Sequence, residues 1–274
     1  MLRFVIAVLM LFVWMAHADE VKKSALVYYG ENLSFYKASK YDYIITQPYS
    51  LDTSAYGFSL YKERIYVYVS IGELDKDTQA CARVDKRWIR AKNKAWKSVV
   101  LDIRDQNYRQ FVFEEIIEPL RKRGFVNFFF DTLDSYNFYA KTKADKKACE
   151  AALASFIEEF HRRYPASRLI INRGFEIIPR IHDDITALLF ESYYRGIDIK
   201  DLSYKKVSKE EREWLDTKLS LVRRYHKDII AVDYLPPDEL AKEAPALVKK
   251  LAKKGFIPYV STKDLDIYGY SLER

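Results

Sequence analysis

The chain has 274 residues and a formal net charge of +7, and 49% of its residues are hydrophobic and 15% aromatic. That length suits two small domains or one α/β barrel, whose typical size is about 250 residues. The basic residues are spread over candidate helices such as "KTKADKK" and "LVKKLAKKG" and form no single stripe. We therefore attribute the charge to solvated helix faces and expect no nucleic-acid partner.

The first 18 residues form a predicted export signal. They combine a basic Arg3, an apolar stretch from Phe4 to Met15 and a closing Ala-His-Ala sequence. The apolar stretch is too short for a comfortable membrane span, and the ending matches a small-x-small cleavage site. We expect residues 1–18 to be removed. The remaining domain, 19–274, is expected to be periplasmic or extracellular, without stable membrane insertion.

Short β-branched and aromatic runs then alternate with amphipathic helical patterns. The predicted strands are 25–30, 41–48, 64–73, 124–131, 168–174, 185–192, 228–235 and 255–262. Helical periodicity is clearest at 113–120, 153–160 and 240–251. Strands separated by helices indicate a parallel sheet, and eight of them in this length favour one (β/α)8 barrel. A further apolar run at 98–103 predicts a short extra strand after the third barrel strand.

Two structural alternatives remain open at this point. An open doubly wound sheet would also contain βαβ units, although no GxGxxG or P-loop follows the first strand. The two cysteines, Cys81 and Cys149, could form a disulfide in an oxidising compartment. The sequence does not contain the distance between their Cα atoms, on which that bond depends.

Acidic residues stand at the ends of four predicted strands. They are Glu73, Asp131, Glu191 and Asp233, with Asp134 just beyond the second of them. Active sites of α/β barrels lie at the carboxyl ends of the strands, so these side chains are expected to converge on one opening. Clustered carboxylates repel one another, and their coexistence therefore favours a functional site.

Each acid also has a structural explanation when it is taken alone. Asp131 could cap the turn that follows it, and Glu191 could form an ion pair with Arg195. The histidines share no metal-ligand spacing, and no HExxH, CxxC or GxSxG motif is present, so neither a metal nor a cofactor is expected. Two carboxylates alone can hydrolyse a glycosidic bond. Strand spacing allows either a retaining separation of about 5–5.5 Å or an inverting one of about 6.5–9.5 Å.

Tyrosines cluster at the same strand ends. They are Tyr28, Tyr29, Tyr49, Tyr136, Tyr193, Tyr194 and Tyr234. Such rings can stack on the apolar faces of sugars while their hydroxyls form hydrogen bonds. Packing at the rim of the barrel is the alternative explanation for part of this set.

Six segments of the chain resemble one group of enzymes in sequence and in order. They are "YVSIGE", "FFFDTLDSY", "INRGFEIIP", "FESYYRG", "VDYLPPD" and "GFIPYVSTKDLDIYG". They resemble glycoside hydrolase family 166, the family of the hydrolase domain in the Pel exopolysaccharide modification protein, and more distantly the endo-α-1,4-polygalactosaminidases of family 114. The resemblance runs from about Val27 to Gly269. It implies a (β/α)8 barrel that cuts α-1,4-linked galactosamine or N-acetylgalactosamine polymers internally.

The resemblance also implies roles for individual residues. Glu191 in "FES" matches the catalytic glutamate of the family, and Asp131 in "FFFDTLD" matches its aspartate, although Phe130 stands where an aliphatic residue is usual. Positions that line the substrate cleft are matched by Tyr68, Glu73, Asn172 and Asp233. The candidate substrate-binding set also includes Asp134, Arg173, Tyr193 and Tyr234.

The leading hypothesis is a secreted, endo-acting glycoside hydrolase of galactosamine-rich exopolysaccharide, with Glu191 as general acid/base and Asp131 as nucleophile. Apolar residues precede both acids, and burial among them would raise the pKa of either carboxyl. The choice of which acid is the general acid/base and which is the nucleophile therefore stays open. One alternative is a non-catalytic barrel that binds polysaccharide. Another is a different carboxylate-based enzyme, such as a deacetylase. The expected partners are the polysaccharide and the exopolysaccharide secretion machinery.

Overall fold

Nine strands form the main sheet of the structure, a computed structural model that describes residues 22–272. The strands are, in chain order, β1 Ala25–Tyr28, β2 Tyr43–Thr46, β3 Ile65–Ser70, β4 Glu73–Asp75, β5 Ile89–Asn93, β6 Ser98–Leu101, β7 Asn127–Asp131, β8 Leu169–Asn172, β9 Ala187–Glu191, β10 Arg195–Ile197, β11 Tyr204–Lys206, β12 Asp228–Tyr234, β13 Ile257–Ser261 and β14 Tyr270–Ser271. The main sheet has the order β1-β2-β3-β7-β8-β9-β12-β13-β14, and only its last pair is antiparallel. All eight predicted barrel strands are therefore present. The predicted export signal lies outside the described residues.

The two ends of this sheet approach each other, so the sheet is a nearly closed barrel. The backbone N–H of Ala25 in β1 donates to Oγ of Ser271 in β14 at 3.2 Å. Just beyond β1, the N–H of Tyr29 donates to the carbonyl of Leu265 at 2.7 Å. An open doubly wound sheet has no such contact between its edges. The predicted α/β barrel is confirmed.

Strand β7 shows why the barrel strands are continuously apolar. Successive side chains of a strand point to opposite faces, and both faces of this strand are covered. Phe128 and Phe130 face outward, where their rings meet Phe160 edge-on at 5.3 and 4.9 Å between centroids. Phe129 points to the other face, where its ring lies 6.0 Å from that of Tyr68. The strand is buried up to its last residue, Asp131, which is partly exposed.

Helices surround the sheet. They are α1 Phe35–Ala38, α2 Tyr56–Tyr61, α3 Gln79–Arg83, α4 Gln106–Phe111, α5 Glu118–Lys122, α6 Lys143–Arg163, α7 Ile178–Ile181, α8 Lys209–Arg223 and α9 Pro237–Ala252. A π-helical turn, Val112–Ile117, joins α4 to α5. The three helical patterns predicted from periodicity are confirmed in α4–α5, α6 and α9. Gly124 and Gly255 follow two of these helices with φ of +98° and +80°, a left-handed conformation that glycine adopts without strain.

The connection after β3 differs from the prediction. The third barrel strand ends at Ser70, and Glu73 belongs to a separate three-stranded antiparallel sheet of order β4-β6-β5. The predicted extra strand at 98–103 is confirmed as β6, but its two partners were not predicted. The chain leaves the barrel at Gly72, where a Cβ atom would lie 2.3 Å from the carbonyl oxygen of Thr132. The apolar residues of β3 continue into this turn, so the sequence pattern does not indicate where the chain changes direction.

Two smaller questions are also answered for the described residues. Cys81 and Cys149 are free thiols and form no disulfide. Within residues 22–272, no helix is both long and apolar enough to cross a membrane.

Candidate active site

Asp131 and Glu191 are the last residues of β7 and β9, and Asn172 ends the strand between them. The side-chain nitrogen Nδ2 of Asn172 donates to Oδ1 of Asp131 at 2.8 Å and to Oε1 of Glu191 at 3.0 Å. Both carboxylates are partly exposed, so they are accessible from the opening of the barrel. The structure therefore brings the two predicted catalytic residues together, with an asparagine between them.

The shared donor limits the distance between the two carboxylates. The two accepting oxygens cannot be farther apart than the sum of the two hydrogen-bond lengths. Because the two N–H bonds of a planar amide diverge by about 120°, these oxygens lie roughly 5 Å apart. Retaining glycosidases have carboxyl groups about 5–5.5 Å apart, and inverting ones about 6.5–9.5 Å apart. The separation of these two oxygens lies near the shorter of the two spacings.

Asp131 accepts three hydrogen bonds. Besides Asn172, its donors are the backbone N–H of Thr132 at 2.7 Å and the hydroxyl of Tyr68 at 2.9 Å. Burial raises the pKa of the Asp131 carboxyl, and these three hydrogen bonds oppose the rise. The hydrogen bonds favour the ionised form, which is the form that a nucleophile needs.

Glu191 has a different electrostatic environment. Burial raises the pKa of its carboxyl, and the negative charge of Asp131 raises it further. Arg173, Asn172 and the hydroxyl of Tyr234 oppose that rise. Burial and a neighbouring like charge both favour the protonated form of the Glu191 carboxyl, which is the form that a general acid needs.

The two structural explanations for these acids do not apply. Arg195 does not pair with Glu191, because its guanidinium forms an ion pair with Glu243. Asp131 caps no helix, and the turn that follows it supplies one of its three hydrogen bonds, while Tyr68 and Asn172 supply the other two. Both carboxylates are held by neighbouring strands and directed toward each other.

Each of the three strand-end residues is followed by a residue in the left-handed region. Thr132, Arg173 and Ser192 have φ of +63°, +56° and +67°. This conformation is unfavourable for residues other than glycine, and most of all for β-branched threonine. At Thr132 it accompanies the hydrogen bond from the backbone N–H to Asp131. Three of the eight non-glycine residues with positive φ in the described part of the chain therefore directly follow the residues of the site.

Three tyrosines surround the pair. The ring of Tyr29 meets that of Tyr68 edge-on at 5.5 Å, and the hydroxyl of Tyr234 bonds to Glu191. Burial, followed by the charge of Asp131 or of Glu191, raises the pKa of all three phenols well above the ordinary value. The three phenols therefore stay protonated and act as hydrogen-bond donors. In the sequence, Tyr29 is one of several strand-end tyrosines, and its position directly after β1 is what places it at the opening of the barrel.

Glu73 and Asp233 lie nearby but serve as anchors. The Glu73 carboxylate is buried and accepts from the side chains of Ser98, of Asn93 at 3.2 Å and of Ser135 at 2.6 Å. It therefore connects the three-stranded sheet to the turn after β7. Four strand-end acids were expected at the opening. Asp131 and Glu191 are accessible from it, whereas Glu73 and Asp233 are buried and hold loops in place.

The Asp233 carboxylate accepts only backbone hydrogen bonds. Its donors are the N–H groups of Tyr193 at 2.6 Å, Tyr194 at 2.9 Å and Arg195 at 3.0 Å. Burial raises its pKa to about 6 in spite of these bonds. This buried group fixes the loop that follows Glu191.

The remaining predicted residues lie at different distances from the pair. Asp134 is exposed at the rim, and Arg173 reaches the backbone carbonyl of Glu191 at 3.4 Å. Tyr193 is not brought to the pair, because its ring packs on Phe256 and its hydroxyl donates to Asp216 at 2.7 Å.

Within residues 22–272, no group of three or more His, Cys, Asp or Glu side chains is arranged to hold a metal ion.

Comparison with known proteins relates this geometry to one enzyme family. The model of glycoside-hydrolase family GH114 matches residues 61–274. The glycoside hydrolase domain of PelA from Pseudomonas aeruginosa is 33% identical, with a TM-score of 0.81 over 90% of this chain and 98% of that domain. Ega3 from Aspergillus fumigatus, solved with galactosamine, shares the fold at 13% identity, with a TM-score of 0.67 over 93% of this chain and 96% of that one. These findings confirm the family resemblance.

A more distant relative is an uncharacterized protein of Methanocaldococcus jannaschii. It is 22% identical over 219 residues, which are 73% of this chain. The match spans 61% of the length of that relative.

Proposed function

The chain belongs to glycoside-hydrolase family GH114, and we propose that it cleaves α-1,4-linked galactosamine or N-acetylgalactosamine polymers internally, by a retaining mechanism. The observation that carries the mechanism is the shared hydrogen bond of Asn172 to Asp131 and Glu191. The spacing that it sets, roughly 5 Å, suits a covalent glycosyl-enzyme intermediate and is too short to hold a water molecule for direct attack.

The two environments support the division of roles. Asp131, with three hydrogen-bond donors, acts as the nucleophile and attacks the anomeric carbon. Glu191, whose proton is favoured by burial and by the charge of Asp131, protonates the departing glycosidic oxygen. In the second step the Glu191 carboxylate removes a proton from water, which then releases the sugar from Asp131.

The choice of substrate rests on family membership and on the PelA domain, whose structure resembles this one. A carboxylate-lined opening is compatible with a sugar polymer that carries amino groups. Asp134 is exposed at the rim of this opening, where it can attract cations. The hydroxyls of Tyr68 and Tyr234 already donate to the carboxylates, so they can accept hydrogen bonds from sugar hydroxyls.

The test is a product analysis with defined galactosaminans. Fully acetylated, partly acetylated and deacetylated α-1,4 chains are incubated with the protein, and the products are separated by mass. Products of several intermediate lengths at early times are expected for internal cleavage. Proton NMR of the first product is expected to show retention, that is, the α-anomer. Release of monosaccharide alone would contradict internal cleavage, and a first product in the β-form would contradict retention.

We also propose that the protein acts outside the cytoplasm, since residues 1–18 have the pattern of a cleavable export signal. The mature chain is then expected to begin at or near Asp19. N-terminal sequencing of the exported protein measures this directly. An intact Met1 in a membrane fraction would contradict cleavage.

A further inference from the structure

A second pocket lies beside the hairpin formed by β10 and β11. It has a volume of about 510 Å³, and its walls come from the hairpin, α8 and α9. The charged side chains that line it are Arg195, Lys206, Arg212, Lys242 and Lys250, with Glu243 as the single acid. None of the residues that surround the carboxylate pair lines this pocket. The pocket is thus a separate, strongly basic site.

The single acid neutralises only one of these cations. Glu243 forms an ion pair with Arg195, which also lies 3.6 Å from Glu239. Arg212 donates to a neutral acceptor, the backbone carbonyl of Val207. Arg195 is therefore already balanced by carboxylates. Arg212 forms no ion pair within 4 Å among residues 22–272, although the Glu210 carboxylate is near enough to feel its charge.

Three lysines also line the pocket. Among residues 22–272, Lys206, Lys242 and Lys250 form no ion pair within 4 Å. Two of them lie on one face of α9 because their positions are eight residues apart, which is about two helical turns. Like charges gathered in a concave site repel each other, and that repulsion is relieved when an anion binds.

The apolar part of the lining indicates what kind of anion fits. Val207 and Leu247 are buried and Ala246 lies beside them, so the pocket has an apolar floor below its charged rim. The Tyr194 ring is not open for stacking on a sugar, because Nζ of Lys250 lies 3.7 Å from its centroid. A ligand that combines carboxylates with an apolar side chain matches this lining better than an acidic sugar does.

We propose that this pocket binds an acidic peptide segment of a partner protein, in which two or more Asp or Glu carboxylates flank an apolar side chain. The carboxylates pair with Lys206, Lys242 and Lys250 at the rim, and the apolar side chain rests against Val207 and Leu247. A deacetylated galactosamine polymer carries charge of the same sign as the pocket and is repelled, and an acetylated one has no charge for the lysines to pair with. The pocket therefore serves a second ligand and not the polymer that the carboxylate pair is proposed to cleave.

The test measures binding and does not depend on hydrolytic activity. The full chain is titrated into fluorescein-labelled peptides EELEE, EESEE and KKLKK, with anisotropy as the readout, at 20 and 200 mM salt. We expect EELEE to bind, EESEE to bind more weakly because it lacks the apolar contact, and KKLKK not to bind. Added salt is expected to weaken binding, because exposed charge pairs are screened within about 8–10 Å at physiological ionic strength.

Two matched double variants locate the binding site. Lys242→Gln with Lys250→Gln removes two charges that line the pocket. Lys249→Gln with Lys253→Gln removes two exposed charges that do not line it, one in the last turn of α9 and one at the residue that follows this helix. We expect the first pair to weaken EELEE binding about tenfold, since two ion pairs at the rim of the pocket are lost, and the second pair to change it less than twofold. Thermal melting confirms that both variants are folded.

Several results would overturn the proposal. They are the absence of EELEE binding at millimolar concentration, an equal loss of affinity in both double variants, and equal affinity for EELEE and EESEE. Inorganic phosphate and an oligogalacturonide serve as competitors. Displacement of EELEE by either one at an equal concentration would show that the pocket takes a phosphate or an acidic sugar instead.

Discussion

Asp131 and Glu191 accept hydrogen bonds from the same nitrogen atom, although a complete strand lies between the two that carry them. The nitrogen belongs to Asn172, whose amide oxygen is buried and has no hydrogen-bond partner among the described residues. The amide orientation is therefore held by the two carboxylates. This arrangement fixes the spacing of the pair and supplies one donor to each carboxylate.

Replacing either carboxylate by its amide tests the catalytic pair. Asp131→Asn and Glu191→Gln keep the side-chain shape but remove the nucleophile or the transferable proton. Each is expected to lower turnover at least a hundredfold, since acid/base assistance alone contributes about 10² to 10⁴-fold. Asp264→Asn, an exposed carboxylate in the loop after β13, is the control and should retain full activity. Azide should partly rescue Asp131→Asn by forming an azido sugar. A pair variant with more than about a tenth of parental activity would remove that residue from the catalytic pair.

Replacing Asn172 by alanine tests the role of the shared donor. Asn172 lowers the pKa of both carboxyls, so its loss is expected to raise the pKa of Asp131. The nucleophile then ionises only at higher pH, and the acidic limb of the kcat/KM profile should move upward in pH. Asn137→Ala removes a loop amide that bonds only a backbone carbonyl at 2.9 Å, and it should leave the profile unchanged. An acidic limb that does not move in Asn172→Ala would contradict the proposed tuning.

Thr132 connects the Asp131 carboxylate to the end of β3. Its Oγ1 accepts from the N–H groups of Ile71 at 3.1 Å and Gly72 at 2.9 Å. Thr132→Val keeps the shape but leaves the Gly72 N–H unpaired, whereas the Ile71 N–H keeps a second acceptor, the backbone carbonyl of Asp131 at 3.0 Å. A loss of about 1–3 kcal/mol in unfolding free energy is therefore expected, with lower kcat. Thr132→Ser retains the hydroxyl and should restore both properties. The measurements are denaturant titration and steady-state kinetics. If the valine and serine variants behave alike, the hydroxyl has no positioning role.

Asp233 makes stability depend on pH. Its pKa is raised from 3.8 in the unfolded chain to about 6 in the folded protein. The folded state therefore binds the proton more tightly, and this contribution to stability is complete below pH 3.8 and is lost as pH rises through 6. A shift of this size corresponds to about 2–3 kcal/mol. Asp233→Asn should remove this part of the slope of unfolding free energy between pH 4 and 6, as measured by urea titration. An unchanged slope would mean that other groups cause it.

Much of the fold and part of the site followed from local sequence patterns. Buried parallel strands are continuously apolar, and helices repeat their apolar residues every three to four positions, so both patterns were visible in "GFVNFFFD" and in residues 240–251. Chain order then placed the carboxyl ends of the strands at one opening. This is why Asp131 and Glu191 could be selected before any coordinates were known.

Only the tertiary structure decided which strand-end acids are available for chemistry. Glu73 and Asp233 have the same position in the sequence pattern as Asp131, but side chains and backbone groups 20 to 62 residues away bind their carboxylates. The same holds for the bridge through Asn172 and for the basic pocket, where a hairpin and the helix that follows it meet α9, which is more distant in sequence. Hydrogen bonding and burial depend on which residues meet in space. Sequence periodicity records only which face of its own element a residue occupies.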